Sequence, residues 1–265
     1  MAPAGGLTIA LLWRALADEA GPVLRFVDDV RESTPIADLA TVVGGRTAGE
    51  AAAAAADQLP GWLLTTQDAH LADLLLVSRG TLSRHSFLMQ CDLRVHPGTG
   101  DPDPRFTVAL LPDDPASDRW RAILPSWRAA FPPGHPDHFP GDDDLAIDFH
   151  LRLVDGSELG PLHRSTCLLL LDGRPVAGIV VNIRPQEPPR GGAWIADIWR
   201  DPSLHGTGVG HALMSHAKRL LCEDGHSSLS LVVTAGNPAR RAYEAEGFTV
   251  VLESWTVQLA GSRRT

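Results

Sequence analysis

The stretch from Asp201 to Leu213 reads DPSLHGTGVGHAL and places three glycines at alternate positions, directly before a helical pattern. Glycines spaced in this way either let the chain turn sharply or let an anion approach the backbone, because they carry no β-carbon. A helix that follows leaves about four amide N–H groups unpaired at its N-terminus and favours negative charge there. The stretch therefore predicts either a plain strand-to-helix turn or a phosphate-binding loop.

Two common phosphate-binding motifs do not fit this stretch. The dinucleotide fingerprint GxGxxG needs its third glycine one residue later, and it needs an acidic residue about twenty positions further on. The P-loop needs a lysine and a hydroxyl residue after its last glycine, whereas His211 and Ala212 follow Gly210. Neither a dinucleotide site nor a P-loop is predicted.

A third motif fits, and a second block downstream accompanies it. The acyl-CoA loop of the GNAT family of N-acyltransferases is written R/Q-x-x-G-x-G/A between a strand and a helix. Residues 205–210, HGTGVG, resemble it in all but the first position. Residues 237–248, NPARRAYEAEGF, resemble the second GNAT signature, NxxAxxxYxxxGF. The resemblance implies an α/β fold with a mixed, mostly antiparallel central sheet flanked by helices, over residues 105–260.

The resemblance also implies how acetyl-CoA, or another acyl-CoA, binds as co-substrate without a metal. The pantetheine arm would run along the strand before the loop, and the loop amides would hold the pyrophosphate. Asn237 would reach the pantetheine region and also cap a helix. The residues so assigned to the cofactor are Ile198, Trp199, Arg200, His205, Gly206, Thr207, Gly208, Val209, Gly210 and Asn237. Because His205 replaces the usual arginine or glutamine, phosphate affinity is expected to be weaker or more dependent on pH.

Tyr243, the only tyrosine of the chain, falls where the family places its general acid. A phenol with a pKa of about 10 can protonate the leaving thiolate. The resemblance makes Asp197, on the strand that leads into the loop, the candidate general base. Weaker candidates in the acceptor segment are Asp148, His150 and Glu158. The alternatives are that Tyr243 only packs against the sheet and that Asp197 only forms an edge ion pair.

Composition limits the partners. A net charge of −9 argues against a nucleic-acid partner, because phosphates would be repelled. No stretch approaches the ~20 apolar residues that span a bilayer, and the apolar run from Leu7 to Leu12 lacks a cleavage site after it. Three widely spaced cysteines indicate neither a disulfide framework nor a zinc site. A cytoplasmic protein without a membrane partner is predicted, and a homodimer is a possible assembly.

The acceptor segment is acidic. Between Leu111 and Asp148 there are eight aspartates against three arginines. An acidic rim over the acceptor pocket would attract a cationic small molecule or the amine of a peptide. The alternative is a solvated charged loop that binds nothing.

The chain divides at a polar, proline-rich joint, HPGTGDPDP, at residues 96–104. Before it, short helices are predicted at residues 7–17 and 23–31, and a capping box of Thr47 and Glu50 predicts a surface helix over the alanine run that follows. Residues 61–93 resemble the tail of a GNAT domain. Residues 1–95 are therefore interpreted as a degenerate, non-catalytic half-repeat, without an acyl-CoA loop.

The sequence thus predicts an acetyl-CoA-dependent N-acetyltransferase that acts on a primary amine by direct transfer in a ternary complex. Two alternatives stay open. In the first, the protein transfers a longer acyl chain, since the motifs do not determine the length of the acyl pocket. In the second, it is a non-catalytic regulatory protein that binds acyl-CoA; the replacement at His205 mildly favours this alternative, and the presence of Tyr243 does not.

Overall fold

The computed structural model of the chain describes residues 12–31, 33–99, 103–114 and 117–261. The chain forms two compact units, one of residues 1–87 with 252–265 and the other of residues 88–251. The predicted boundaries at residues 95 and 105 differ from this division. The reason is that the strand preceding the proline-rich joint runs on into the second unit, while the last strand belongs mostly to the first.

The first unit begins with an antiparallel meander and continues with a crossover to a parallel strand. The meander comprises β1 (Trp13–Asp18), β2 (Gly21–Arg31) and β3 (Thr34–Val42). Helix α1 (Ala48–Gln58) leads to β4 (Leu63–Thr66), which is parallel to β3, and α2 (Ala69–Val77) leads to β5 (Thr81–Asp92). The last strand of the chain, β11 (Thr249–Gln258), pairs with β4 in the antiparallel sense.

Two predictions for this unit are wrong. Residues 23–31 form a strand rather than a helix, as do residues 13–17, while residues 7–11 lie outside the described part of the chain. Apolar residues at 23, 24, 26 and 27 have helical spacing, but a register irregularity between Arg25 and Val27 lets the strand bury all four, and the tight turn at Gly21, with φ +115, begins a hairpin. The alanine helix is not a surface helix, because four of its alanines are buried against β1, β2 and α2.

The second unit carries both sequence motifs. Its elements are β6 (Thr107–Ala109), α3 (Arg119–Ala130), α4 (Asp143–Val154), β7 (Cys167–Leu171), β8 (Arg174–Arg184), β9 (Gly192–Arg200), α5 (Val209–Glu223), β10 (Ser228–Thr234) and α6 (Ala239–Ala245). The strands lie in the order β5-β10-β9-β8-β7-β6, in which β6 to β9 pair in the antiparallel sense and β9 with β10 in the parallel sense. The predicted mixed, mostly antiparallel sheet with flanking helices is confirmed.

Helices α3 and α4 cover one face of this sheet and form its aromatic core. Trp120 and Trp127 of α3 are buried and pack with Leu153 of α4 against Val180 and Trp199 of the sheet. The helical spacing of the two tryptophans predicts a helix here, and α3 confirms it. No helix is predicted from the sequence where α4 lies. Its start follows from Asp142, whose carboxylate accepts a hydrogen bond from the N–H of Leu145 at 2.9 Å.

The two units repeat one order of elements. The succession β1-β2-β3-α1-β4-α2-β5 has the same types as β7-β8-β9-α5-β10-α6-β11. The predicted half-repeat at residues 1–95 stays a prediction, to which this shared order adds support. None of the helices in the described part of the chain is both long and apolar enough to cross a bilayer.

Candidate active site

Strands β9 and β10 separate soon after they meet. Their parallel register is limited to Leu229 opposite Ala193 and Ser230 opposite Trp194. Strand β9 continues to Arg200 with β8 as its register partner, with an irregularity opposite Asp197. The β10-facing side of residues 195–200 therefore leaves strand N–H and C=O groups without ladder partners among the described residues. Such groups need a partner, and an extended ligand can supply one.

The loop after β9 is held by its own short hydrogen bonds. The Asp201 carboxylate accepts from the N–H of Ser203 at 2.9 Å and from its hydroxyl at 2.7 Å, and these two bonds hold the pKa of Asp201 below its usual range. The Thr207 hydroxyl donates to the carbonyl of Leu204 at 2.7 Å. The hydroxyl of Thr207 is thus used within the loop, and so are the N–H groups of His205 and Thr207, whereas the glycine amides have no described acceptor.

The glycines of the loop keep the start of α5 open. Gly206 and Gly208 have φ values of +76 and +82, in the left-handed region that favours glycine. Gly208 is the N-cap of α5 and has no side chain to bond the first-turn amides. A β-carbon on any of Gly206, Gly208 and Gly210 would meet no atom within 4 Å, so the space beside these amides is empty of protein. An open, uncapped helix N-terminus of this kind fits an anionic group such as a pyrophosphate.

Asp197 lies where α3 and α4 meet β9. Its Oδ2 accepts a hydrogen bond from Trp127 Nε1 at 2.7 Å and lies 3.2 Å from Nε2 of His150. The side chain of Asp197 is 11% exposed and that of His150 is fully buried. Nδ1 of His150 lies 2.8 Å from the carbonyl oxygen of Ala146, one turn earlier in α4. His150, the weaker candidate of the sequence, therefore contacts the predicted base directly.

Tyr243 lies in α6 with its ring near that of Phe248, the centroids being 6.2 Å apart. Burial raises the pKa of the Tyr243 phenol well above its ordinary value, and the negative charges of Asp197 and Asp137 add to the rise. The phenol is therefore neutral at physiological pH. The predicted base, Asp197, is therefore close enough to the predicted acid to act on it electrostatically.

Asn237 has both ends of its side chain engaged. Its Oδ1 accepts from the N–H of Ala239 at 2.8 Å, which caps α6 as predicted, and its Nδ2 donates to Asp137 Oδ2 at 2.7 Å. The other oxygen of Asp137 accepts from the Thr234 hydroxyl at the end of β10. Asn237 stands one residue nearer to Tyr243 than the family signature places its asparagine. Asp137 is a site residue that the sequence analysis counted only as part of an acidic run.

The other acidic residues considered as candidates form ion pairs or cap a helix. Asp148 and Glu158 both pair with the exposed Arg152, and neither has a described contact with Asp197. Asp142 caps α4, and Asp143 pairs with Arg128 at 3.1 Å. Three of the eight aspartates of the acidic run, Asp142, Asp143 and Asp148, are thus used for capping or ion pairing, and the acidic rim stays a prediction.

The other predicted cofactor residues lie along β9 and the loop. The Trp199 side chain is buried against Gly178, where a β-carbon would lie 2.3 Å from the indole, so Trp199 can offer only its backbone to a ligand. Ile198 is half-buried, Arg200 reaches the carbonyl of Asp201 at 3.4 Å, and His205 is exposed. Val209 is buried at the start of α5. In the described residues no three His, Cys, Asp or Glu side chains group to hold a metal ion.

A buried ion pair next to α5 was not predicted from the sequence. Lys218 of α5 donates to the Glu246 carboxylate at 2.9 Å, and Glu246 also lies 2.5 Å from Nδ1 of His211. This pair ties α5 to the end of α6. No sequence signal pointed to it, because a lysine on a helix is usually solvated.

Comparison with known proteins agrees with this geometry. Residues 120–248 match the sequence profile of the acetyltransferase (GNAT) family. A GCN5-related N-acetyltransferase from Sphaerobacter thermophilus superposes with a TM-score of 0.64 at 14% identity, over 97% of this chain and 84% of that one. An acetyltransferase of the GNAT family from Colwellia psychrerythraea gives a TM-score of 0.59 at 12% identity, over 96% and 87% of the two chains.

A third similar structure is a tandem GNAT protein from the clavulanic acid biosynthesis pathway, with a TM-score of 0.57 at 14% identity, over 96% of this chain and 84% of that one. At these identities the likeness concerns the fold. No curated protein matches the sequence significantly.

Proposed function

Residues 120–248 form an acetyltransferase domain of the GNAT family, and from this premise we propose that the protein transfers an acetyl group from acetyl-CoA to a primary amine of a small molecule or peptide. The family generally uses acetyl-CoA, and the domain is that of an N-acyltransferase. The observation that carries the proposal is the separation of β9 from β10 directly before an uncapped, glycine-lined helix start.

The residues present fit acyl-CoA in two places. The unpaired edge of β9 at Ile198, Trp199 and Arg200 would pair with the amide groups of the pantetheine arm. The amides from Gly206 to Gly210 would hold the pyrophosphate, with His205 as an additional donor when protonated and Asn237 near the pantetheine. Bound acyl-CoA supplies a thioester, the acyl group of which passes to the amine.

Asp197 and Tyr243 would move the two protons of the transfer. The acceptor ammonium gives a proton to Asp197, directly or through a water, and so becomes a nucleophile. The phenol of Tyr243 gives a proton to the departing sulfur and regains one from the nitrogen, which loses its second proton as the amide forms. The raised pKa of Tyr243 opposes this second step, since a weaker acid gives up its proton less readily.

A cationic acceptor would offset that opposition. Two carboxylates, Asp197 and Asp137, raise the pKa of Tyr243, and an ammonium bound between them would cancel part of their field. The phenol would then become a better acid when the acceptor is present. This argument favours an acceptor that is cationic at neutral pH.

Direct transfer is favoured over a route through an acyl-cysteine. Burial raises the pKa of the Cys167 thiol to about 12, and it also raises the pKa of Cys91. A thiol in that state is a poor nucleophile at neutral pH. The third cysteine, Cys222, donates weakly to the Leu93 carbonyl at 3.6 Å and packs within the second unit.

The test combines binding with turnover. Thermal unfolding is measured with acetyl-CoA, longer acyl-CoAs and free CoA, and release of free thiol is followed with a panel of polyamines, amino sugars and lysine peptides. A ligand at a hundred times its dissociation constant stabilises the fold by about 2.7 kcal/mol. We expect the largest stabilisation with acetyl-CoA and thiol release with at least one cationic amine.

The other outcomes separate the alternatives. A larger shift with longer acyl chains would identify a longer-chain acyltransferase. A shift with acyl-CoA, without thiol release for any amine, would favour the regulatory binding protein. The absence of a shift at millimolar ligand would show that the glycines only turn the chain.

A further inference from the structure

We propose that His150 and Trp127 are positioning residues for Asp197, and that a buried His150 imidazolium keeps this carboxylate ionised and its Oδ1 available as the proton acceptor. The inference rests on the proposed function, because it takes Asp197 as the base. It concerns two residues of the α3–α4 layer to which neither sequence motif extends.

The hydrogen-bond partners of His150 fix its protons. Nδ1 lies 2.8 Å from the backbone carbonyl oxygen of Ala146, and a carbonyl oxygen can only accept, so Nδ1 carries a hydrogen. Nε2 lies 3.2 Å from Oδ2 of Asp197. A hydrogen must lie between these two atoms as well, because two acceptors without a proton would repel each other. The pair therefore holds either an imidazolium with a carboxylate or a neutral imidazole with a carboxylic acid.

Trp127 decides between the two states. Its indole Nε1 can only donate, and it donates to the same Oδ2 of Asp197 at 2.7 Å. A hydrogen bond donated to a carboxylate favours the charged form. Asp197 is therefore the carboxylate and His150 the imidazolium, with two donors on Oδ2 and no described hydrogen bond on Oδ1.

The surroundings of His150 are suited to a cation that water cannot reach. The side chain is fully buried, and a buried charge needs a partner, which Asp197 provides. Four aromatic rings have their centroids within 6 Å of the imidazole centroid, at 5.0 to 5.9 Å, and they keep water away from it. These rings belong to Trp120, Trp127, Phe149 and Trp199.

The pair has a consequence for catalysis. An isolated carboxylate beside aromatic rings would resist ionisation, whereas the two donors on Oδ2 keep Asp197 ionised before the acceptor arrives. The charged or titratable groups nearby are Tyr243 of α6, which interacts electrostatically with Asp197 and Asp137, and Arg128, whose guanidinium lies 5.3 Å from the Trp127 ring centroid. Tyr243 is neutral, so it does not compete for the charge of His150.

Nitrogen NMR of the full-length protein tests the protonation without any turnover. In protein with ¹⁵N-labelled histidine, we expect both ring nitrogens of His150 to be protonated at pH 8, the signal being assigned by its loss in His150→Phe. In Asp197→Asn the counter-charge is gone, and His150 should become neutral with its proton on Nδ1. A neutral His150 in the wild-type protein at pH 8 would overturn the proposal.

Kinetics test the positioning role. With the amine substrate found for the wild type, His150→Phe should lower kcat about 10²-fold and leave the KM for acyl-CoA unchanged. The acidic limb of its pH–rate profile should move to higher pH, because the carboxylate loses a positive neighbour. His150→Gln keeps an N–H donor and should recover part of kcat, and Trp127→Phe should lower kcat less than His150→Phe.

The matched control is His163→Phe. His163 is a buried histidine of the same unit that lies 2.9 Å from Asp224 and has no described contact with Asp197. It should change neither kcat nor the pH profile. If His150→Phe behaves like this control, the positioning role is wrong while the acyltransferase stands. If the wild type shows the protonated His150 but turns over no amine, the proposed function fails and the ion pair remains.

Discussion

Helices α1 and α5 occupy the same place in the repeated order of elements, yet their N-termini differ. Each follows a strand that contains Ile-Ala-Asp, at residues 36–38 in β3 and 195–197 in β9. The start of α1 is closed by its own side chains. Thr47 Oγ1 accepts from the N–H of Glu50 at 3.2 Å, and the Glu50 carboxylate accepts from the N–H of Thr47 at 2.7 Å. The start of α5 has only glycines.

The strands beside the two helices differ too, because those beside α1 pair again towards their ends and those beside α5 separate. Strand β4 pairs with β3 at Ile36 opposite Leu63 and, past a register irregularity, again at Ala40 opposite Thr66, where the Thr66 hydroxyl donates to the Ala40 carbonyl at 2.9 Å. Strands β9 and β10 part after two register pairs. The comparison teaches that the same order of elements can leave a helix N-terminus either capped or open to a ligand. A few hydroxyls, a carboxylate and glycines decide between the two.

The largest effect is expected for Asp197, and the aspartate of the other Ile-Ala-Asp stretch, Asp38, provides the control. Asp197→Asn should lower kcat by about 10²- to 10⁴-fold, because a general base contributes that much. The fold should survive, since His150 can release its Nε2 proton. Asp38→Asn in β3 is the matched variant and should leave kcat unchanged in steady-state assays of thiol release. Equal losses in both variants would contradict the assignment of chemistry to the second unit.

The second helical position of each helix offers a matched pair of glycines. Gly210→Glu places a negative side chain in open space beside the α5 amides, without a left-handed φ to strain it. It should weaken acyl-CoA binding at least ~100-fold, or about 2.7 kcal/mol, by charge repulsion and blocking. Gly49→Glu in α1 should leave binding unchanged. Isothermal titration with both variants measures this, and retained binding in Gly210→Glu would place the pyrophosphate elsewhere.

The single tyrosine can be followed by its ultraviolet absorbance alone. Its phenolate should appear in the folded protein only well above pH 10, the ordinary value. Above about pH 10 the unfolded chain ionises first, so the free energy of unfolding should fall as pH rises. Tyr243→Phe should remove the tyrosine share of this alkaline loss, leaving the share of the buried Cys91 and Cys167 thiols, and should lower kcat about 10²-fold. An ordinary titration near pH 10 would contradict the burial of the phenol.

A small effect on stability is expected at α1. Thr47→Ala removes one half of the capping box and should lower the free energy of unfolding by about 1 kcal/mol in urea denaturation. It should not create acyl-CoA binding, because β3 and β4 stay paired. Binding gained by this variant would show that the cap, rather than the strand pairing, closes the first unit.

The smallest effect is expected at His205. His205→Arg supplies the positive charge that the family motif usually has, so acyl-CoA affinity at pH 8 should rise about threefold, or roughly 0.7 kcal/mol. The affinity of the wild type should increase as pH falls through the range in which histidine protonates, and that of His205→Arg should not. The same pH dependence in both proteins would remove His205 from the phosphate contact.

Much of the second unit could be predicted because its signals are local. The helical spacing of Trp120 and Trp127 predicts α3, and the signature around Tyr243 predicts α6 and its cap. The prediction failed at residues 23–31, where an irregularity in the strand gives the apolar residues helical spacing. It also failed at α4, where a polar run hides the N-cap aspartate among other aspartates.

The sequence by itself determined the glycine loop, the tyrosine and the strand that carries Asp197, because these depend on residue type and on short spacing. Only the tertiary structure decided which side chains reach Asp197. Trp127 and His150 lie 70 and 47 residues before it in the chain, and their approach depends on how α3 and α4 pack on the sheet. Packing also kept β3 paired with β4 and separated β9 from β10, because hydrogen bonds between neighbouring strands form or fail as a consequence of the whole sheet.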